Sequence, residues 1–127
     1  MFYVVDTQKS FEQTSLDLEV ESQKLGFGVL HVHNMGETLR SKGIDFIENC
    51  KIFEICNPVQ ANKILSIDMK LNTALPCRIS VFTENGITKI GLIKPSEMFA
   101  TLSENLELLE ITKGLEKQTI QIIDNTK

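Results

Sequence analysis

Three thiols, Cys50, Cys56 and Cys77, are the side chains in this sequence best suited to soft-ligand or nucleophilic chemistry. Cys56 directly precedes Asn57-Pro58, which reads as a helix start. Its thiol therefore lies near a helix N-terminus, where the macrodipole favours thiolate. That placement suits a reactive or sulfur-carrying cysteine. The competing reading is a small buried hydrophobe closing a strand, since free cysteine is among the most buried residue types. Cys77 follows Leu75-Pro76 and precedes Arg78, and the hairpin register derived below sets it opposite Lys94. Cations beside a thiol lower its pKa and draw in anionic ligands. Against this, Cys77 shares a strand face with Ile79 and Val81, as a core thiol would, with Lys94 snorkelling outward. Cys50, between Asn49 and Lys51, suggests only packing or exposure.

Other chemistry is less well supported. His31 and His33 stand at i and i+2, on one face of a strand, a spacing that suits chelation. With no third histidine and no Cys-x-x-Cys, no metal site is expected; a solvated edge or dimer surface accounts for the pair. Glu48 and Glu54 alternate with Cys50 and Cys56, and a carboxylate near a thiol would raise its pKa. Phosphate-loop, dinucleotide, nucleophile-elbow and zinc-protease motifs are absent, and Gly26-Phe27-Gly28 is too short for a dinucleotide loop. No catalytic residue and no cofactor is expected.

The elements that must position these residues follow from periodicity and punctuation. Phe2-Tyr3-Val4-Val5 opens as a strand. A helix runs from Ser10, a fitting N-cap, to Leu25, with Phe11, Leu18 and Leu25 on one face, Thr14 and Ser22 between them, and Gly26 as its stop. The apolar stripe is thin, so this helix covers a sheet with one face only. A strand spans 27–33, and a short helix follows in which Asn34 and Glu37 have capping-box spacing and Gly43 ends it. A longer strand covers roughly 45–56, with a bulge or bend where Asn49 and Lys51 alternate with Ile47, Phe53 and Ile55. Asn57 caps the next helix, Pro58 takes its first position and Gln60 sits where it can reach back; Ala61, Ile64 and Leu65 face inward.

Residues 77–94 form a hairpin whose register can be derived. Asn85-Gly86 is the favoured pair for a two-residue type I′ turn. It sets Glu84 opposite Ile87, Thr83 opposite Thr88, Val81 opposite Ile90 and Ile79 opposite Leu92. Phe82–Lys89 and Ser80–Gly91 then fall on the other face, so one register satisfies both turn and burial. Pro95 opens a short helix through Met98 and Phe99. A final helix runs from about Asn105 to Asp124, with Leu108, Ile111, Leu115 and Ile122 along one side and Gly114 as a weak point. Five strands with antiparallel pairing and segregated helices make an α+β two-layer sandwich.

At 127 residues the chain is one domain's worth, without repeats, linkers or low-complexity tracts. Its net charge of −4, scattered Lys and Arg, absent Trp and single Tyr disfavour nucleic-acid binding by either a basic face or a stacking platform. No apolar run approaches the roughly 18 residues of a membrane span, and no signal-like opening is present. An odd cysteine count fits reduced thiols, and a cytoplasmic location is expected.

Phe27-Gly28-Val29-Leu30, Cys56-Asn57-Pro58, Leu75-Pro76-Cys77 and Pro95-Ser96-Glu97-Met98 occur in an order that resembles the domain of unknown function 302 family over nearly the whole chain. The resemblance implies a TBP-like β-α-β(4)-α sandwich, often a homodimer, and marks Cys56, Asn57, Pro58, Pro76 and Cys77 as motif residues. It implies no settled activity, and the fold label does not bring DNA binding with it. Two functions are thus expected to compete, and a metal protein using His31, His33 and a thiol trails both. One is a homodimeric ligand-binding or interaction module. The other is a thiol-dependent sulfur or redox protein using Cys56 and Cys77, with Arg78 or Lys94 attracting a small anionic or thiol ligand.

Overall fold

The computed structural model describes residues 1–127. Strands β1 (Phe2–Thr7), β2 (Gly28–Asn34), β3 (Cys50–Cys56), β4 (Cys77–Glu84) and β5 (Ile87–Ile93) form one antiparallel sheet in the order β1-β5-β4-β3-β2. Helices α1 (Phe11–Lys24), α2 (Met35–Ser41), α3 (Pro58–Ile67), α4 (Pro95–Ala100) and α5 (Leu106–Thr126) accompany it, with a 3₁₀ turn at Met69–Ala74 between α3 and β4. The fold is α+β, as expected. The 3₁₀ turn had no counterpart in the sequence reading.

Helix starts fall where the caps put them. Ser10, Asn34, Asn57 and Asn105 each accept a first-turn backbone N–H through their side chains. Gly26 and Gly43 follow α1 and α2 with positive φ, the conformation that lets a chain leave a helix through a left-handed residue. The derived hairpin register is also present: Glu84 pairs Ile87, Thr83 pairs Thr88, Phe82 pairs Lys89, Val81 pairs Ile90 and Ser80 pairs Gly91. Asn85 and Gly86 both take positive φ, as a type I′ turn requires.

Three expectations need correction. The ladder between β4 and β5 stops at Ser80–Gly91, so neither the Ile79–Leu92 pair nor the Cys77–Lys94 pair forms. Beyond it β5 pairs with β1, and Lys94 leaves the sheet as the N-cap residue of α4. The third strand begins at Cys50, not Asp45. The Arg40 guanidinium takes the carbonyls of Phe46 (2.9 Å) and Glu48 (3.0 Å), which would otherwise seek a neighbouring strand. Ile47 is 85% exposed there. The irregularity expected in that strand lies across the ladder in β2, where the register shifts between Val29 and His31.

Helices cover one face of the sheet only. On that face lie Phe53, Ile55, Ile79, Val81, Ile90 and Leu92, packed against Leu18 of α1, Ile64 of α3, Phe99 of α4 and Leu108, Leu115, Ile122 and Ile123 of α5. The helix faces that meet also bury hydroxyls: Ser15 and Ser22 on α1, Thr112, Thr119 and Thr126 on α5. Each donates to a carbonyl four residues back in its own helix, at 2.7–2.9 Å. No donor is left unmet, and the small side chains let the two helices approach closely.

Gly86 has open space around it, so a methyl group there would cost only backbone strain. Gly86→Ala is expected to lower unfolding free energy by about 1–2 kcal/mol. Urea denaturation should show the midpoint falling at unchanged slope; an unaltered midpoint would refute the left-handed turn.

Candidate functional site

The site lies at one end of the sheet, where β3 runs into α3 and the 3₁₀ turn feeds into β4. The β3–β4 ladder sets Ile55 opposite Cys77, which makes Cys56 the neighbour of that pair. Cys56 and Cys77 both line a cavity of about 170 Å³. Its walls are Ile55 below, Ala61, Ile64 and Leu65 from α3, Leu75 and Pro76 before β4, and Leu115 from α5. The two motif cysteines, 21 positions apart in sequence, thus open on one space. All three cysteines are free thiols. The Leu75–Pro76 peptide is cis.

Local chemistry fixes the α3 side of the cavity. Asn57 Oδ1 accepts the N–H groups of Val59 (3.1 Å) and Gln60 (3.2 Å), and Pro58 occupies the first helical position, where a missing N–H costs nothing. Gln60 does not reach back to complete a capping box. Its Nε2 donates instead to Gln118 Oε1 on α5. Gln60 Oε1 is left buried, with no hydrogen-bond partner, in a residue that lines the cavity. An unmet buried acceptor costs about 1–3 kcal/mol, so this one invites a donor. No local sequence signal could have found it, because the contact that orients it comes from α5.

Cys77 does not behave as its cationic neighbours suggested. Burial pushes its thiol up to about 12, a negative charge on Cys56 adds to that, and Arg78 pulls it down only in part. Lys94 plays no part in this balance. Arg78 is turned toward Glu54, at 3.5 Å, and is about half exposed. Cys77 is accordingly held as a neutral thiol at physiological pH.

Cys77 also lines a second, smaller space of about 90 Å³ with Pro76, Arg78, Pro95 and Met98, bounded by Leu92 and Ile93. This gap opens where β4 and β5 part. Met98 belongs to one of the sequence segments noted above, but its proximity to Cys77 depends on α4 folding back over the strand ends.

The remaining candidates lie on the uncovered face of the sheet. The His31 and His33 rings meet edge to face at 4.3 Å. His33 Nε2 lies 2.9 Å from Glu54 Oε1, and this hydrogen bond is the main cause that holds the Glu54 carboxyl below its usual range. No group of three or more His, Cys, Asp or Glu side chains is arranged to hold a metal. Glu48 serves the hairpin, its two oxygens accepting from Thr83 Oγ1 (3.0 Å) and the Asn85 N–H (2.9 Å). Cys50 also opens on this face, beside Ile52 and Phe82.

Fold and site define a small α+β protein with a thiol-lined cavity at the open end of a one-sided sheet. The chain belongs to the family described as domain of unknown function DUF302, whose match spans residues 3–126. It is also similar to the crystal structure of the uncharacterized conserved protein DUF302 from Bacillus stearothermophilus: 34% identity, TM-score 0.95, over 99% of this chain and 98% of that one. Comparison with curated proteins gives no match. No helix is long and apolar enough to cross a membrane.

Between its ordinary value of 9.0 and about 12, the folded state keeps the Cys77 proton while the unfolded chain loses it. Stability therefore falls as pH rises through that window, and this group adds no pH dependence below it. Denaturation of wild type and Cys77→Ala from pH 8 upward should show a shallower alkaline decline in the variant. Parallel curves would mean that Cys77 titrates like a free thiol.

Proposed function

We propose that this chain is a homodimeric small-ligand-binding module, with the ligand in the cavity between Cys56 and Cys77. The observation that carries the reading is the unmet Gln60 Oε1 beside an otherwise apolar space. At about 170 Å³ the cavity is below the ~300–1,000 Å³ of drug-sized sites, so its occupant has few heavy atoms. The walls ask for an apolar body, and Gln60 asks for one N–H, O–H or S–H donor. A small thiol or amide meets both demands better than an anion, since Arg78 is engaged by Glu54 and Lys94 has left the sheet. Three free thiols suit a reducing compartment such as the cytoplasm.

The second copy belongs on the uncovered sheet face. Phe2, Val4 and Ile93 are 74%, 46% and 44% exposed there, and with Ile52 and Phe82 they surround a shallow hollow. Gly91 makes the hollow: a Cβ on it would approach a Val4 methyl to 3.0 Å. Asp6–Lys89 (3.2 Å) and Glu54–Arg78 (3.5 Å) place both signs of charge on this face. A mixed rim around an apolar centre is self-complementary, as a two-fold interface requires.

Thiol-dependent sulfur or redox handling is the second reading, favoured by Cys56 at the N-terminus of α3. The neutral state of Cys77 speaks against a paired nucleophilic dithiol.

Ligand-observed NMR with a library of small thiols and amides is expected to find binders to wild type that Ala61→Phe, which fills the cavity, no longer holds. Equal binding by a folded Ala61→Phe protein would remove the cavity reading. Light scattering should give a dimer for wild type and a monomer for Val4→Lys. A monomeric wild type at tens of micromolar would end the dimer proposal.

A further inference from the structure

We propose that the hollow on the uncovered sheet face is a second ligand site, closed by the second copy, for a neutral apolar molecule carrying one carbonyl group, such as a medium-length ketone. The inference rests on the dimer reading and is independent of the cysteine cavity.

The strand register builds the hollow. Val4 pairs Gly91, Gly91 pairs Ser80 and Ser80 pairs Ile52, so these four stand in one row across β1, β5, β4 and β3. The two middle positions carry no side chain and a single hydroxymethyl group, and they form a floor. Val4 and Ile52 stand at its ends, with Phe82 on one side and Phe2 and Ile93 on the other. The space is about 440 Å³, inside the ~300–1,000 Å³ range of small-molecule sites.

A second copy laid over this face covers the hollow without filling it. Stacked sheets sit ~10 Å apart. Across that distance neither Gly91 nor Ser80 reaches its counterpart, whereas the core of an interface packs as densely as a protein interior. Apolar walls facing an unfilled gap lose their dispersion contacts, and an apolar ligand restores them.

One polar group narrows the class of ligand. Ser80 Oγ donates to the Lys51 carbonyl (3.2 Å), and Lys89 is paired with Asp6 (3.2 Å). Arg78 differs. Its Nη2 stands 3.5 Å from Glu54 Oε2, a separation that balances charge but is long for a hydrogen bond. Glu54 spends its other oxygen on His33, at 2.9 Å. The Arg78 N–H groups beside the hollow are therefore open to an acceptor, while its charge is already met. A carbonyl on an apolar body satisfies both conditions, and a free carboxylate brings a charge that nothing there balances.

The test is ligand-observed NMR on the full chain with octan-2-one and octanoate, with sedimentation equilibrium on the same samples. Octan-2-one is expected to bind wild type, and octanoate at least about 10-fold more weakly, because an unpaired charge is costly to bury. Ser80→Phe fills the floor and should abolish ketone binding; Ser80→Leu serves if the larger ring prevents folding. Arg78→Met keeps the stem without the donors and should weaken the ketone about 10-fold, the worth of one hydrogen bond from a charged group. The ketone should also shift the chain toward dimer, because it binds the closed face. Equal binding by a folded Ser80 variant, tighter binding of octanoate, or a ketone that leaves the association equilibrium unchanged would each overturn the site. A dimeric wild type that takes up no ketone defeats this inference alone. A wild type that stays monomeric defeats the dimer reading with it.

Discussion

Helices cover the five-stranded sheet on one side, and most other features follow from that asymmetry. Each inner-facing strand residue needs an apolar partner from the helix layer, while the outer face is free to be mixed. The two layers are joined at the sheet's end by short connections, β3 into α3 and the 3₁₀ turn into β4, and these cannot pack as tightly as strand on helix. The cavity that takes in Cys56 and Cys77 is the space left at that junction. The hollow around Gly91 has the opposite origin: no layer covers it, and glycine supplies no side chain to fill it.

Close approach of α1 and α5 makes the one-sided layer possible with so few large apolar residues on α1. Serines and threonines at the helix contact satisfy themselves on their own helices, so they behave as small apolar spacers. α5 also crosses to α3, where Gln118 takes the Gln60 amide. That one contact sets the orientation of Gln60 and leaves its oxygen buried without a partner. The site is therefore shaped by the longest helix as much as by the motif residues themselves.

What could be read from sequence was local or periodic. Asn57 and Pro58 announce α3, and Asn85-Gly86 with the alternation of Val81 and Ile90 determines the hairpin pairing around the turn. The same rule failed when extended past Ser80–Gly91, because a register propagates only while two strands stay side by side, and β5 there remains with β1. The start of β3 was misjudged for a related reason: Arg40, on a helix, claims carbonyls that alternation alone assigns to a ladder. Cys56 and Cys77 stood out through their flanking residues. Gln60 as an orphan acceptor and Met98 as a neighbour of Cys77 had no such signal, since both depend on helices that return from the far end of the chain.

Two opposing effects meet at Cys77, and their sizes decide its role. Arg78 is adjacent in sequence, but its guanidinium points to solvent and to Glu54, where water and a carboxylate both screen it. Desolvation acts on the sulfur directly and is not screened, so it dominates, and the thiol stays neutral. A neutral, enclosed thiol is a poor nucleophile. It is nonetheless a sound wall for an apolar ligand. Cys56 closes β3 at the N-terminus of α3 and Cys77 opens β4, so the two motif cysteines meet the cavity from different elements.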